Sequence, residues 1–109
     1  MSYGYNTPNR ISPRKAWAVM QSNPKAVFVD VRTSQEYGTG RIPGAMLLPD
    51  RNIKTQAPRL LPDKDALIIV YCQRGGRSHT SACELMSMGY TNVCNLGGIE
   101  SWPYAIERE

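Results

Sequence analysis

The stretch Ala66-Leu-Ile-Ile-Val-Tyr-Cys72, followed at once by Gln73-Arg-Gly-Gly-Arg-Ser78, decides the fold. Its first half is a continuous apolar run of seven residues. A short β-branched run without alternation reads as a strand covered by helices on both faces of a sheet. The second half is a glycine turn, and Ser78 is expected to cap the helix that follows. On that helix His79, Ala82, Cys83 and Met86 fall at i, i+3, i+4 and i+7, the spacing of an inward stripe, and Gly89 ends it. A buried strand feeding a helix through a glycine loop is the unit of a parallel sheet.

The same alternation continues on both sides. Upstream, Ser12-Pro13 opens a helix with Trp17 and Met20 facing inward, Pro24 closes it, and Ala26-Val-Phe-Val-Asp-Val31 is a second buried strand. Thr33-Ser-Gln-Glu36 has the capping-box spacing and predicts a helix of about a turn before Gly38 and Gly40. Arg41 to Pro49 reads as a turn feeding a short strand, and residues 50–65 as loop with a helical piece at Thr55–Leu60. Downstream, Thr91–Leu96 is a strand, Gly97-Gly98 a turn, and Ile99–Trp102 a helical turn halted at Pro103. The expected fold class is α/β: one domain over residues 11–109, with a central, mostly parallel sheet and helices on both faces. Residues 1–10 show no periodicity and read as an N-terminal arm or a loose strand.

Composition narrows the function. The 109 residues carry 13 basic and 9 acidic side chains, a formal charge of +4, and 41% are apolar, enough for one packed core. The arginines are scattered from Arg10 to Arg108, so no nucleic-acid footprint is expected. No apolar run approaches the roughly 20 residues needed to span a bilayer, and the opening residues lack a secretory pattern, so a cytoplasmic protein is expected. Cys72, Cys83 and Cys94 cannot all pair within one chain, and with one histidine they match no common zinc spacing, so neither disulfide framework nor metal site is expected.

Chemistry concentrates in Cys72-Gln-Arg-Gly-Gly-Arg-Ser78. Ligands of open parallel sheets bind beyond the carboxyl ends of the strands, which is where Cys72 falls. Gly75 and Gly76 let backbone amides turn inward into an anion nest, and the next helix directs its N-terminal amides to the same point. Arg74 and Arg77 add full charges, and all these features favour a thiolate nucleophile. Asp30 and Arg32, ending a strand, are expected to pair and support the turn rather than touch substrate. Cys83 and Cys94 are read as packing residues.

At these residues the chain resembles the rhodanese-like sulfurtransferase family. Asp30-Val-Arg32 with Glu36-Tyr37 is similar to the family's D-V-R…E-[YF] segment, Gly40-Arg-Ile-Pro-Gly-Ala45 to its G-H-I-P-G-A turn, and Cys72–Ser78 to its C-R-x-G-x-R-S active loop. Gly89-Tyr90, Asn95-Leu-Gly-Gly98 and Trp102 fit its closing segment. The resemblance covers Ile11 to Trp102 and implies a single-domain rhodanese fold that transfers sulfane sulfur without a cofactor. The donor is a small molecule such as thiosulfate or a persulfide, and the acceptor a thiol, a protein thiol or cyanide. It also implies that Cys72 carries the persulfide while Gln73, Arg74, Gly75, Gly76, Arg77 and Ser78 form the binding loop. Gln73 stands where the family often has arginine and Arg41 where it has histidine, departures that bear on the donor. Two other readings compete. A cysteine phosphatase or arsenate reductase needs five residues between cysteine and arginine, and here Cys72 and Arg77 are separated by four. A non-enzymatic module shares the fold: an interaction appendage has no need of the cysteine and its arginines, whereas a sulfur carrier serving one protein partner would keep them.

Overall fold

Residues 7–108 are described by the computed structural model; residues 1–6 of the expected arm lie outside the described residues. In chain order they form β1 (Asn9–Arg10), α1 (Pro13–Ser22), β2 (Val27–Asp30), α2 (Ser34–Thr39), β3 (Met46–Leu47), α3 (Ile53–Leu60), β4 (Ile68–Cys72), α4 (Gly76–Ser87) and β5 (Val93–Gly98). Two 3-10 turns, Asp50–Asn52 and Ile99–Ser101, precede α3 and follow β5. The strands make one sheet of order β1-β5-β4-β2-β3, and every pairing is parallel. The expected α/β class is therefore observed, with the strand of the apolar run at the centre.

That strand shows why a continuous apolar run was needed. Ile68, Val70 and Cys72 point into one core with Val29, Ile53, Ala57 and Leu85, beneath α3 and α4. Ile69 and Tyr71 point into the other, with Ala16, Phe28, Ile42 and Trp102, beneath α1 and the C-terminal segment. All five residues of β4 are buried. At about 25 cal/mol per Å2 of apolar surface, each buried Ile and Val here contributes roughly 1.5–3 kcal/mol, which is why both faces of this strand are built from apolar side chains. Local signals act as expected at the helix starts. Ser12 Oγ accepts from Lys15 N at 3.1 Å with Pro13 in the first helical position. Thr33 and Glu36 close the capping box, with Oγ1 accepting from Glu36 N at 3.2 Å and Oε1 from Thr33 N at 2.9 Å.

In the segment expected as an arm or a loose strand, Asn9 and Arg10 form a strand, paired with Cys94 and Asn95 at the sheet edge. Other expectations are corrected. Helical structure in the 50–65 segment begins at Asp50 instead of Thr55, because the 3-10 turn runs directly into α3. Gly97 and Gly98 are not a separate turn but the end of β5, opposite Tyr71 and Cys72. The β4–β5 register shifts there, since Val70 faces Asn95 while Tyr71 faces Gly97, leaving Leu96 as one extra residue on β5. Helix α4 starts at Gly76, and its cap is Gly75 at φ +117°, not Ser78. The helix is three residues longer at its start than expected, and its buried face is Ser78, Ser81, Ala82 and Leu85. His79 is exposed, and Cys83 and Met86 are half buried.

Candidate active site

The carboxyl ends of β4 and β2 and the start of α4 meet around Cys72. Its side chain is 1% exposed, so the sulfur is addressed by protein groups on nearly every side. Gly75 N donates to Sγ at 3.0 Å and Ser78 N at 3.3 Å, while Sγ lies 3.4 Å from Ser78 Oγ. Two main-chain amides aimed at one sulfur, at the positive end of a twelve-residue helix, suit an anionic sulfur. Gly75 makes this possible: its left-handed φ turns the chain sharply enough to bring its own N–H and the first turn of α4 back onto the strand end.

That turn is held in place largely by contacts from residues distant in sequence. Ser78 Oγ donates to Asn95 Oδ1 at 2.8 Å, and Asn95 Oδ1 also accepts from Gly97 N at 3.0 Å. Sequence reasoning missed Asn95 as a positioning residue, although a polar residue inside a predicted buried strand was the available signal. Gly98 was read only as a turn glycine. It lies so close beneath the loop that a β-carbon there would fall 2.5 Å from Gln73 O and 2.7 Å from Arg74 Cα.

The two loop arginines are both engaged. Arg77 makes a bidentate pair with Glu36, Nη1 to Oε1 at 2.8 Å and Nη2 to Oε2 at 2.9 Å. Glu36 was expected only to cap α2; here it does that and anchors the loop from across the cleft. The Arg77 bond outweighs partial burial, and with the help of the Thr33 amide it holds the Glu36 carboxyl down to about 2. Arg74 is mostly exposed, with Nε 3.4 Å from Glu100 Oε2. Glu36, Gln73, Arg74, Gly76 and Arg77 frame a cleft of about 420 Å3 with Cys72 at its base.

Asp30 and Arg32 are buried and paired. The Asp30 carboxylate accepts from Arg32 Nη2 at 2.7 Å, from Nε at 3.0 Å and from the Arg32 amide at 2.9 Å. Arg32 donates onward to Gly40 O at 2.7 Å and to Gln73 Oε1 at 3.0 Å. Gln73, assigned to substrate from the sequence, is thus tied by its carbonyl to Arg32, and its Nε2 lies 3.3 Å from Glu100 Oε2. Tyr71, whose hydroxyl accepts from Ile42 N at 3.1 Å, packs beneath this network, and burial pushes its phenol well above the usual range. Cys83 and Cys94 are free and half buried, and burial raises the Cys94 thiol.

The family model of the rhodanese-like domain matches residues 12–105, from the cap of α1 past the last 3-10 turn. The chain belongs to the rhodanese-like family. A sulfurtransferase from Allochromatium vinosum is 39% identical over 77 residues, 70% of each chain. The thiosulfate sulfurtransferase GlpE of Pseudomonas entomophila is 36% identical over 94 residues, 85% of this chain and 83% of its own. Among solved structures, a rhodanese with anions from E. coli superposes with a TM-score of 0.70 at 30% identity, over 77% of this chain and 99% of that one. This chain is a rhodanese-type sulfurtransferase, and its single rhodanese unit carries the whole of the site described above.

Proposed function

We propose that the chain carries sulfane sulfur on Cys72 as a persulfide, between a small donor such as thiosulfate or a low-molecular-weight persulfide and a thiol or cyanide acceptor. The observation that carries this reading is the pair of amides, Gly75 N at 3.0 Å and Ser78 N at 3.3 Å, converging on Sγ at the base of an open cleft.

In the first half-reaction the Cys72 thiolate attacks the outer sulfur of thiosulfate. A sulfur–sulfur bond forms to Cys72 as the donor's own sulfur–sulfur bond breaks, and sulfite leaves with that electron pair. The enzyme retains one extra sulfur atom, whose negative charge the amides of the nest and the end of α4 stabilise. In the second half-reaction an acceptor thiolate or cyanide attacks the terminal sulfur, and the Cys72 thiolate leaves, restoring the starting enzyme. Arg77 and Arg74 border the path of the donor's oxygens and of the departing sulfite.

Intact mass after incubation with thiosulfate tests the reading. The native chain is expected to gain one sulfur atom and lose it on addition of cyanide, with thiocyanate released. Cys72→Ser is expected to do neither, whereas Cys83→Ala and Cys94→Ala retain both. Sulfur transfer persisting in Cys72→Ser would overturn the proposal.

A further inference from the structure

Behind the active loop, on the side away from Glu36 and Arg77, lies a second and larger depression of about 730 Å3 that the transfer chemistry does not use. Its volume falls in the range typical of small-molecule sites, roughly 300–1,000 Å3. Three segments bring an arginine or a histidine to it: Arg10 from β1, Arg74 from the loop and His79 from α4. Among the described residues no aspartate or glutamate lines it. Its floor includes Gly75, Gly97 and Gly98, and a β-carbon on Gly97 would meet nothing within 4 Å, so the main chain there lies bare toward the opening.

Charge and position together indicate what this groove would hold. Among the described residues neither Arg10 nor His79 has an ion-pair partner, whereas Arg74 already faces Glu100. His79 Nε2 lies 3.7 Å from Cys83 Sγ, which leaves the other ring nitrogen without a partner among the described residues. Arg74 borders both this groove and the Cys72 cleft, so a molecule occupying both would cross the loop at that residue. Thiosulfate is too small to do so. The molecule that can is an extended thiol with its sulfur in the cleft and an anionic tail in the groove.

We infer that the groove formed by Arg10, Arg74 and His79 binds the carboxylate-bearing tail of the acceptor thiol. This rests on the reading of Cys72 as the sulfur carrier for its catalytic consequence, but not for binding itself. Selection operates here by charge: an acidic thiol gains contacts with Arg10 and His79 that a neutral thiol of equal reactivity lacks, so the two differ in KM and not in kcat.

Two measurements separate the groove from the chemistry. In the first, the S-methyl thioether of N-(3-mercaptopropionyl)glutamate, an extended dicarboxylate that cannot react, is titrated into Cys72→Ser and followed by backbone amide shifts. Perturbations are expected at Gly97, Gly98 and His79, and Arg10→Gln or His79→Gln is expected to weaken binding at least threefold. In the second, sulfur transfer to N-(3-mercaptopropionyl)glutamate is compared with transfer to its neutral diamide, a thiol of the same length and reactivity. Arg10→Gln is expected to raise KM for the dicarboxylate at least threefold at low salt, with kcat unchanged and the neutral thiol unaffected, and added salt should erase the difference. Shifts confined to Gly76 and Arg77, or equal KM changes for both thiols, would overturn the inference. If thiosulfate adds no sulfur to the native enzyme but the thioether still binds at Gly97 and Gly98 through Arg10, the reading of Cys72 fails and the groove stands.

Discussion

Adding one methyl group at Gly98 should move the active loop without touching any catalytic atom. In Gly98→Ala the new carbon would stand 2.5 Å from Gln73 O, 2.7 Å from Arg74 Cα and 2.9 Å from Arg74 C. Ordinary contact begins at 3.4 Å, and all three neighbours are main chain, so no side chain can rotate aside. Relief requires the loop to retreat by about 0.9 Å, the shortfall at Gln73 O. Gln73 and Arg74 join Cys72 to Gly75, so this shift reaches the amide that donates to the sulfur at 3.0 Å. A misplacement of about 1 Å can cost roughly 100-fold in rate, equivalent to about 2.7 kcal/mol of barrier. Steady-state thiocyanate formation should therefore fall by about that factor, while urea unfolding registers only the ~1–3 kcal/mol typical of overpacking. Gly38→Ala, at an exposed position of α2 outside the cleft lining, is the control. Its β-carbon meets nothing within 4 Å, and turnover should remain within about threefold, well short of the effect of a misplaced catalytic group. A folded Gly98→Ala enzyme with native turnover would show that the loop is positioned by something other than its contact with β5.

Three further outcomes follow from particular contacts. Glu36 titrates near 2 in the folded chain against an ordinary 4.5, so its stabilisation is complete above 4.5 and is lost as pH falls toward 2. An unscreened pairing would correspond to roughly 3 kcal/mol. Both partners are about one-third exposed, so solvent screening reduces the effect to roughly 1 kcal/mol. Glu36→Gln should remove that part of the acid dependence in urea titrations at pH 7 and pH 3; an unchanged pH slope would contradict the pairing. Asp30→Asn leaves the Arg32 guanidinium buried without its counter-charge and should cost about 3–5 kcal/mol in chemical unfolding; a loss below about 1 kcal/mol would mean that water or another acceptor replaces Asp30. Tyr90→Phe removes a buried hydroxyl that reaches Leu61 O at 2.7 Å and Ala57 O at 3.1 Å at the end of α3, and should lower the urea midpoint by the equivalent of about 1 kcal/mol with turnover intact.

The parts of the molecule governed by local rules were legible in the sequence. The apolar run of β4, the proline and serine opening α1, and the Thr33–Glu36 box all depend on residues within a few positions of one another, and each appears where its pattern placed it. The site was legible as a loop but not as an arrangement. Glu36 and Arg77 are 41 positions apart, and nothing in either neighbourhood announces the other. Asn95 satisfies Ser78 from another strand, and Gly98 matters for what lies above it and not for its own turn. The α4 stripe was misread for a related reason. Apolar spacing selected His79, Cys83 and Met86 and passed over Ser78 and Ser81, but in this helix small polar residues face inward so that it can approach the sheet closely. Ser81 Oγ even remains without a hydrogen-bond partner among the described residues, a cost of proximity that hydrophobic periodicity cannot anticipate.

The extra residue at Leu96 has a consequence for how this chain can change over time. Asn95 Oδ1 accepts from the amide two residues further on while it also holds Ser78, and that reach needs one residue in between: deleting Leu96 would leave the β4–β5 pairs in place but would remove this contact and empty the buried position of the Leu96 side chain. The segment therefore tolerates replacement of letters more readily than a change in their number. Part of what positions the nucleophile is recorded as a length, and divergent copies of this chain that keep the activity should show substitutions through this stretch but neither insertions nor gaps.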